Sequence, residues 1–379
     1  MLPADARIVS ADDNIIEPPH LWQSRLPARM SEAGPRVAKS EDGEDVWVYE
    51  DRIYPQSFIS AVAGLDMPTW RRRPFVYDDM RPGCYDPKER LRDMDTDGVA
   101  VQTNGPSFPR LGGTLFLEGR DRDLALACVK AWNDFSIEEW CATAPERFVP
   151  LVILPIWDVG LAVEELRRTL EKGARIVSFI EDPVPLCLPS FYTDHWDPLF
   201  ATAQEAGIPL SLHFGSSGRI PFDDGEAPNV HMQSLLGTNS MACLTDLVFS
   251  GVLTRFPGLK VVMSESGIGW VPYLIERLDQ MWFEHRHYQP IDFDARPSEL
   301  YRRNVWMCTI LTEDFGMSVH DQVGADRILI ESDYPHADSR WPRTRERAVE
   351  LLSAVPDDVA RMIAEGNACH VLGLDTLSN

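Results

Sequence analysis

Residues 328–336 read ILIESDYPH: an apolar run of strand type that ends in Glu331, Ser332 and Asp333, with Tyr334, Pro335 and His336 following too closely for a helix to intervene. A carboxylate and an imidazole are therefore delivered together at one strand end, and both metal ligation and proton transfer use that pair of donors. A capping Asp with a surface His beside it would be the plainer account of the same letters. Repetition argues against it, because strand followed by polar donor occurs three more times along the chain.

Working outward, apolar segments of strand length lie at about 7–11, 98–103, 148–155, 174–180, 208–213, 259–264, 304–309 and 327–332. Helical patterns fill most intervals, at about 123–142, 158–172, 196–206, 241–253, 271–285 and 313–324. In the second of these Val159, Ala162, Val163, Leu166 and Leu170 make one apolar stripe, Asp158 caps the start and Gly173 ends it. Glu164 is placed to pair with Arg168 one turn on. No strand is followed by Gly-x-Gly-x-x-Gly, so eight such units predict an α/β fold of the TIM type, a distorted (β/α)8 barrel, more readily than an open nucleotide-binding sheet. The whole chain, 1–379, reads as one domain. Residues 36–81 stand outside the repeat: VWVYEDRIYP after the turn signal Asp42-Gly43 suggests a hairpin, inserted after the first strand as a flap over the site or a subunit contact.

A barrel places catalytic groups at the C-terminal ends of its strands. Asp12 and Asn14 alternate along the end of the first strand, so both face one side with Asp13 opposite. His213 closes the fifth strand, Glu265 the sixth, and Asp333 with His336 the eighth. Glu17 either reaches back to this group or caps the next segment. The candidate metal ligands are thus Asp12, Asn14, Glu17, His213, Glu265 and Asp333, with Asp333 and His336 as the proton-transfer pair. Weaker candidates are Asn104, Glu181, Asp182, Cys308 and Thr309. Such a set of oxygen and nitrogen donors suits a divalent ion, zinc first and manganese or iron next, and holds enough carboxylates for two.

A formal charge of −23, from 59 acidic and 36 basic residues, repels nucleic acid and anionic membranes, which leaves a small molecule as the expected substrate. No run of about 18 apolar residues occurs, and the start shows no leader pattern, so a soluble cytoplasmic protein is expected. The seven cysteines are scattered without a Cys-x-x-Cys and read as reduced core thiols. Arg110, Arg219 and Arg340 lie on predicted rim loops where a guanidinium could clamp a carboxylate. A homodimer is the default assembly.

Several stretches carry a resemblance: ADDNIIEPPHLW (11–22), KAWNDF (130–135), ERFVPLVILPIWD (146–158), IPLSLHFGSSG (208–218), GVLTRFPGLKVVMSESGIGWVPYLIERLD (251–279), SDYPHADSRWP (332–342) and EGNACHVLGL (365–374). The chain resembles the amidohydrolase-related branch of the amidohydrolase superfamily, which includes aminocarboxymuconate semialdehyde and aromatic acid decarboxylases. The resemblance implies a metal at the barrel mouth held from the first, fifth and eighth strands, here the Asp12–Asn14 motif, His213 and Asp333. Two positions depart from it: Asn14 stands where the family has His, and Glu265 where the named decarboxylases have His. The fourth strand, ARIVSFI, lacks the lysine that bridges two metals in other branches. A metal-dependent hydrolase or non-oxidative decarboxylase of a small carboxylate or carbonyl compound is the implied activity. An iron or manganese oxygenase, or a metal-poor partner of an active homologous barrel, are the alternatives.

Overall fold

The computed structural model describes residues 2–72, 75–219 and 228–374. Its strands, in chain order, are β1 (Val9–Ile15), β2 (Arg36–Lys39), β3 (Asp45–Tyr49), β4 (Arg52–Tyr54), β5 (Val101–Pro106), β6 (Phe148–Val149), β7 (Leu151–Val152), β8 (Ile176–Phe179), β9 (Leu210–His213), β10 (Val261–Ser264), β11 (Val305–Thr309) and β12 (Ile328–Ile330). Nine of them form one parallel sheet in the order β6-β5-β1-β12-β11-β10-β9-β8-β7. Its two ends, β6 and β7, are halves of one extended segment interrupted only at Pro150, which has no N–H to give a neighbour. β6 pairs with β5 and β7 with β8, so that segment touches both edges and the sheet becomes an eight-stranded barrel. The expected architecture is the observed one.

Burial on both faces explains why these strands read as unbroken apolar runs. β8 to β11 are buried at every position, and helices between the strands cover the outside. The helix Val159–Glu171 shows the logic locally. Asp158 accepts a bond from Leu161 N at 3.0 Å, Ala162, Val163 and Leu166 turn inward, and Gly173 follows at φ 100°. Leu166 has no exposed surface, so Leu166→Ala is expected to lower unfolding free energy by about 3 kcal/mol in urea titration.

Three local expectations are corrected. Arg168 pairs with Glu165 at 2.7 Å, not with Glu164, because Glu165 faces the helix Arg122–Phe135, where Asn133 Nδ2 binds it at 2.7 Å and Asp134 receives the same arginine. The helix expected over 313–324 is two pieces, Asp314–Ser318 and His320–Val323. His320 Nδ1 lies 2.9 Å from Met317 O, occupying the carbonyl that a continuous helix would bond to the residue 321 amide. Cys187 is exposed, whereas the other six cysteines are buried as expected.

The insertion contains a small antiparallel sheet, β2-β3-β4, followed by short helical turns. Asp42-Gly43 joins β2 to β3, and Glu50 and Asp51, at φ 47° and 63°, turn β3 into β4. Trp47 stacks on Phe108 at 4.7 Å, and Val62 N and Ala63 N both donate to Pro335 O at 3.0 and 3.1 Å. The insertion is thereby fastened onto the loop that follows β12.

Candidate metal and proton-transfer site

Because the strands are parallel, the ends of β1, β9, β10 and β12 share one rim. β1 runs in register with β5 from Val9↔Val101 to Ser10↔Gln102, then slips so that Asp13 meets Asn104. This bulge fixes which way the acidic residues face. Asp13 turns away from the mouth and accepts bonds from Gln102 Nε2 at 3.0 Å, Tyr334 N at 3.2 Å and the Ser332 hydroxyl. Asp12 and Asn14 turn into it.

Asp12 Oδ2 lies 3.2 Å from His213 Nε2, and Glu265 Oε2 lies 3.5 Å from the same nitrogen. His213 Nδ1 sits 2.7 Å from Phe214 O, which orients the ring so that Nε2 is the atom presented to the mouth. Across the rim, Asp333 Oδ1 is 2.8 Å from His336 Nδ1 and accepts from Asn14 Nδ2 at 3.2 Å. Asn14 therefore braces the Asp333–His336 pair through its amide. Carboxylate oxygens of Glu265, Asp333 and Asp338 come within 4.8 Å of one another. Asp333 and Glu265 both hold positive φ, 47° and 51°, which side chains other than glycine rarely adopt and which functional sites often retain.

Burial sets the electrostatics. Glu265 is pushed up to about 8 by desolvation and the Asp333 charge, against the pull of His213 and His336. Glu331, whose Oε2 accepts from Glu265 N at 2.9 Å, is raised by burial and then by Asp12 and Glu265. Burial alone would lower His213, but the adjoining Asp12 and Glu265 carboxylates raise it; His336 follows the same logic, with Asp333 as the raising charge.

Glu17 behaves differently from the other candidates. Its carboxylate accepts from Ser107 N at 2.9 Å, Phe108 N at 2.8 Å and Trp132 Nε1 at 3.1 Å, so it holds the loop after β5. Desolvation raises it to about 7 against those donors. Glu17→Ala leaves three donors unpaired and is expected to cost about 3 kcal/mol of stability with the bound-metal content per folded chain unchanged, read by urea unfolding and elemental analysis. Among the weaker candidates, Glu181 Oε1 gathers Gly215 N, the Ser217 hydroxyl and Asn239 Nδ2 at 2.8–2.9 Å, and Thr309 donates to Glu313 at 3.1 Å. Asn104 Oδ1 takes the Trp140 indole N–H at 2.9 Å. All three serve loop or wall structure.

Asp338 and Glu331 are the members that sequence reasoning did not single out as ligands. Glu331 carried a signal, since it lies two residues before Asp333 at the end of an extended run. Asp338 lies in an aperiodic loop that brings it back beside Asp333, and no spacing rule exposes that. The donor set fits a divalent cation on one further observation. Asp333 Oδ2 and Glu331 Oε1 are buried with no hydrogen-bond partner, Asp12 Oδ2 has the His213 imidazole beside it, and that much like charge is held inside a protein only when a cation or protons neutralise it.

Residues 20–374 match the family model described as Amidohydrolase. The chain belongs to the amidohydrolase family. Curated relatives of this amidohydrolase include the gamma-resorcylate decarboxylase of Polaromonas sp. strain JS666, 26% identical over 65% of this chain and 76% of that protein. Another is the 2-amino-3-carboxymuconate-6-semialdehyde decarboxylase of Dictyostelium discoideum, 23% identical over 79% of this chain and 80% of its own. Among solved structures, an amidohydrolase from Mycobacterium avium subsp. paratuberculosis K-10 superposes at TM-score 0.78 with 24% identity, covering 98% of this chain and 100% of that one. A dihydroxybenzoic acid decarboxylase from Polaromonas sp. JS666, solved with manganese and 2-nitroresorcinol, gives 0.64 with 18% identity over 98% of both chains. These superpositions establish the shared barrel fold. No helix among the described residues of this amidohydrolase is long and apolar enough to cross a membrane.

Proposed function

We propose that this amidohydrolase is a metal-dependent carboxy-lyase that removes CO2 from a small carboxylate carrying a neighbouring hydroxyl or carbonyl oxygen. The observation that carries the reading is the Asp333–His336 pair, 2.8 Å apart, set against the carboxylate-rich rim of the barrel. Relatives that act on aromatic carboxylates, and the missing lysine on β8, support decarboxylation over dinuclear hydrolysis.

Asp12, His213, Glu265, Asp333 and Asp338 would hold the cation, which when bound supplies a Lewis acid for the substrate oxygens. Their oxygen-rich character favours manganese over the zinc expected first. Burial lowers the proton affinity of His336 and the Asp333 charge raises it above the ordinary imidazole value, so the pair is suited to deliver a proton at the rim. As the bond between the substrate carbon and its carboxylate breaks, the electron pair stays on that carbon, the His336–Asp333 pair gives it the proton, and CO2 leaves as a neutral molecule. Asn14, donating to Asp333 Oδ1, keeps the carboxylate aligned for that transfer.

The test is metal analysis of protein purified without chelator, with CO2 release and O2 uptake followed on 2,6-dihydroxybenzoate as probe. Manganese with CO2 release and no O2 uptake is the expected result. Iron with O2 uptake would make the protein an oxygenase. Absence of metal together with a co-purifying second barrel chain would make it a partner subunit.

A further inference from the structure

Arg90, in the helix Pro87–Asp97, is a guanidinium with no exposed surface, set against the end of β1. No carboxylate oxygen lies within 4 Å of its nitrogens among the described residues, and Asp13 and Asp93 act on it only from farther away. Burying a cation without an opposed carboxylate is costly, so packing alone does not account for it. All three of its nitrogens are in use, each on a different segment. Nε donates to Gly83 O at 2.6 Å, Nη1 to Gln102 Oε1 at 3.1 Å and Nη2 to Asn14 O at 2.6 Å. The guanidinium carbon lies 4.3 Å from the centre of the Tyr334 ring and 5.2 Å from that of Trp140.

Three of these contacts lead to Asp333 by separate routes. Asn14, whose carbonyl Arg90 holds, gives its amide to Asp333 Oδ1 at 3.2 Å. Gln102, whose carbonyl oxygen Arg90 holds, is thereby turned so that Nε2 donates to Asp13 Oδ1 at 3.0 Å. That carboxylate in turn accepts from Tyr334 N at 3.2 Å and from the Ser332 hydroxyl, so it fastens the residues on either side of Asp333. The Tyr334 side chain is pinned between the Arg90 guanidinium and Asp93, which accepts its hydroxyl. Asp333 stands among these contacts at φ 47°, a backbone that persists in a residue other than glycine only where its surroundings over-determine it. The planar fork thus ties β1, β5 and the loop after β12 to one rigid group.

We propose that Arg90 is a positioning residue that sets where the Asp333–His336 pair stands at the rim, and so how well the pair delivers its proton. The part played in proton delivery rests on the carboxy-lyase reading; the placement of the pair does not, and it is read without turnover. A lysine keeps the charge but is a flexible point donor, unable to serve three acceptors in one plane at once.

Arg90→Lys tests it, beside Arg147→Lys as the control for a loosened helix. Arg147 ties the same helix through Asp95 at 2.9 Å, and its other partners are the carbonyls of Val99 and Ala100. Protein labelled with 15N at histidine is loaded with magnesium, a diamagnetic stand-in for manganese. The parent is expected to show a downfield N–H signal for the proton between His336 Nδ1 and Asp333, identified by its loss in His336→Gln. Arg90→Lys should move that signal upfield or broaden it away, and Arg147→Lys should leave it in place. On 2,6-dihydroxybenzoate, Arg90→Lys is expected to lower kcat per bound manganese about a hundredfold with KM unchanged, the scale on which reacting groups displaced by about 1 Å lose rate. Arg147→Lys should keep both constants. If Arg90→Lys does not fold, Gln102→Met cuts the second route alone and should move the signal and lower kcat by about tenfold. No such signal in the parent, an unmoved signal in the folded variant, an equal shift in Arg147→Lys, or a shifted signal with kcat intact would overturn the assignment. A shifted signal in a protein whose parent releases CO2 from no probe would remove the carboxy-lyase reading alone and leave the placement standing.

Discussion

Asp333→Asn is expected to cut CO2 release by about a thousandfold while leaving the protein folded. The two halves of that expectation have separate causes. Asn is nearly isosteric with Asp and tolerates the left-handed backbone that position 333 adopts at φ 47°, so the loop keeps its path. The amide cannot supply the charge that raises His336, which then loses its proton more readily at neutral pH. It also removes a carboxylate from the group formed with Glu265 and Asp338, so metal retention should fall in the same preparation. Asp333→Ala is the harsher control, since alanine is strained at that φ and takes the Asp333 carboxylate away from Asn14 Nδ2. Circular dichroism, metal content and initial rates on the probe acid separate the effects; a variant that keeps its metal and its rate would remove Asp333 from the chemistry.

How much of this was legible beforehand depended on what kind of physics fixed each feature. The barrel was readable because strands buried on both faces must be apolar throughout, and because the helices between them show a stripe, a cap and a stop, as at Asp158 to Gly173. The rim donors were readable for the same reason: a polar residue at the end of an apolar run is conspicuous, which found Asp12, His213, Glu265 and Asp333. Alternation along β1 gave the opposite facing of Asp13, and the structure adds what that residue does, binding Ser332 and Tyr334 on either side of Asp333.

The remainder depended on loops and on competition between equal donors. Glu17 has the chemistry of a ligand, yet two backbone amides and an indole reach it. Those partners come from the β5 loop and the helix Arg122–Phe135, and no local pattern connects them to position 17. Asn14 is the converse case. As a ligand it is weak, and the letters alone suggest decay, but in place its amide donates to Asp333, a role that a metal-bound His could not fill at the same time. Asp338 enters through the same loop that seats Arg340 and Trp341, so the path of the β12 loop decides its place at the rim.

Stripping the cation should make stability fall as pH rises, over a window in which the metal-loaded protein stays level. The sign follows from the raised carboxyls. Glu265 takes up a proton at about 8 in the fold against an ordinary 4.5, and Glu331 is raised in the same sense. Each contributes stability that is complete below its unfolded value and is lost as pH climbs through its folded one. His213 and His336, also raised, act in the same direction, since their stabilising charge is present below about 6.5 and disappears above their folded values. Between about pH 5 and 8.5 the chelated protein is therefore expected to lose on the order of 3 kcal/mol, roughly a 5 °C fall in Tm for a chain of this size. A divalent ion replaces the protons as the neutralising charge, so manganese should lift Tm most at the alkaline end and little near pH 5. Calorimetry of the chelated and manganese-loaded protein across that range reads both curves. Parallel curves would mean that the ion and the protons do not share these carboxylates, and Glu265→Gln, which removes one of the competing acids at the rim, should flatten the chelated curve alone.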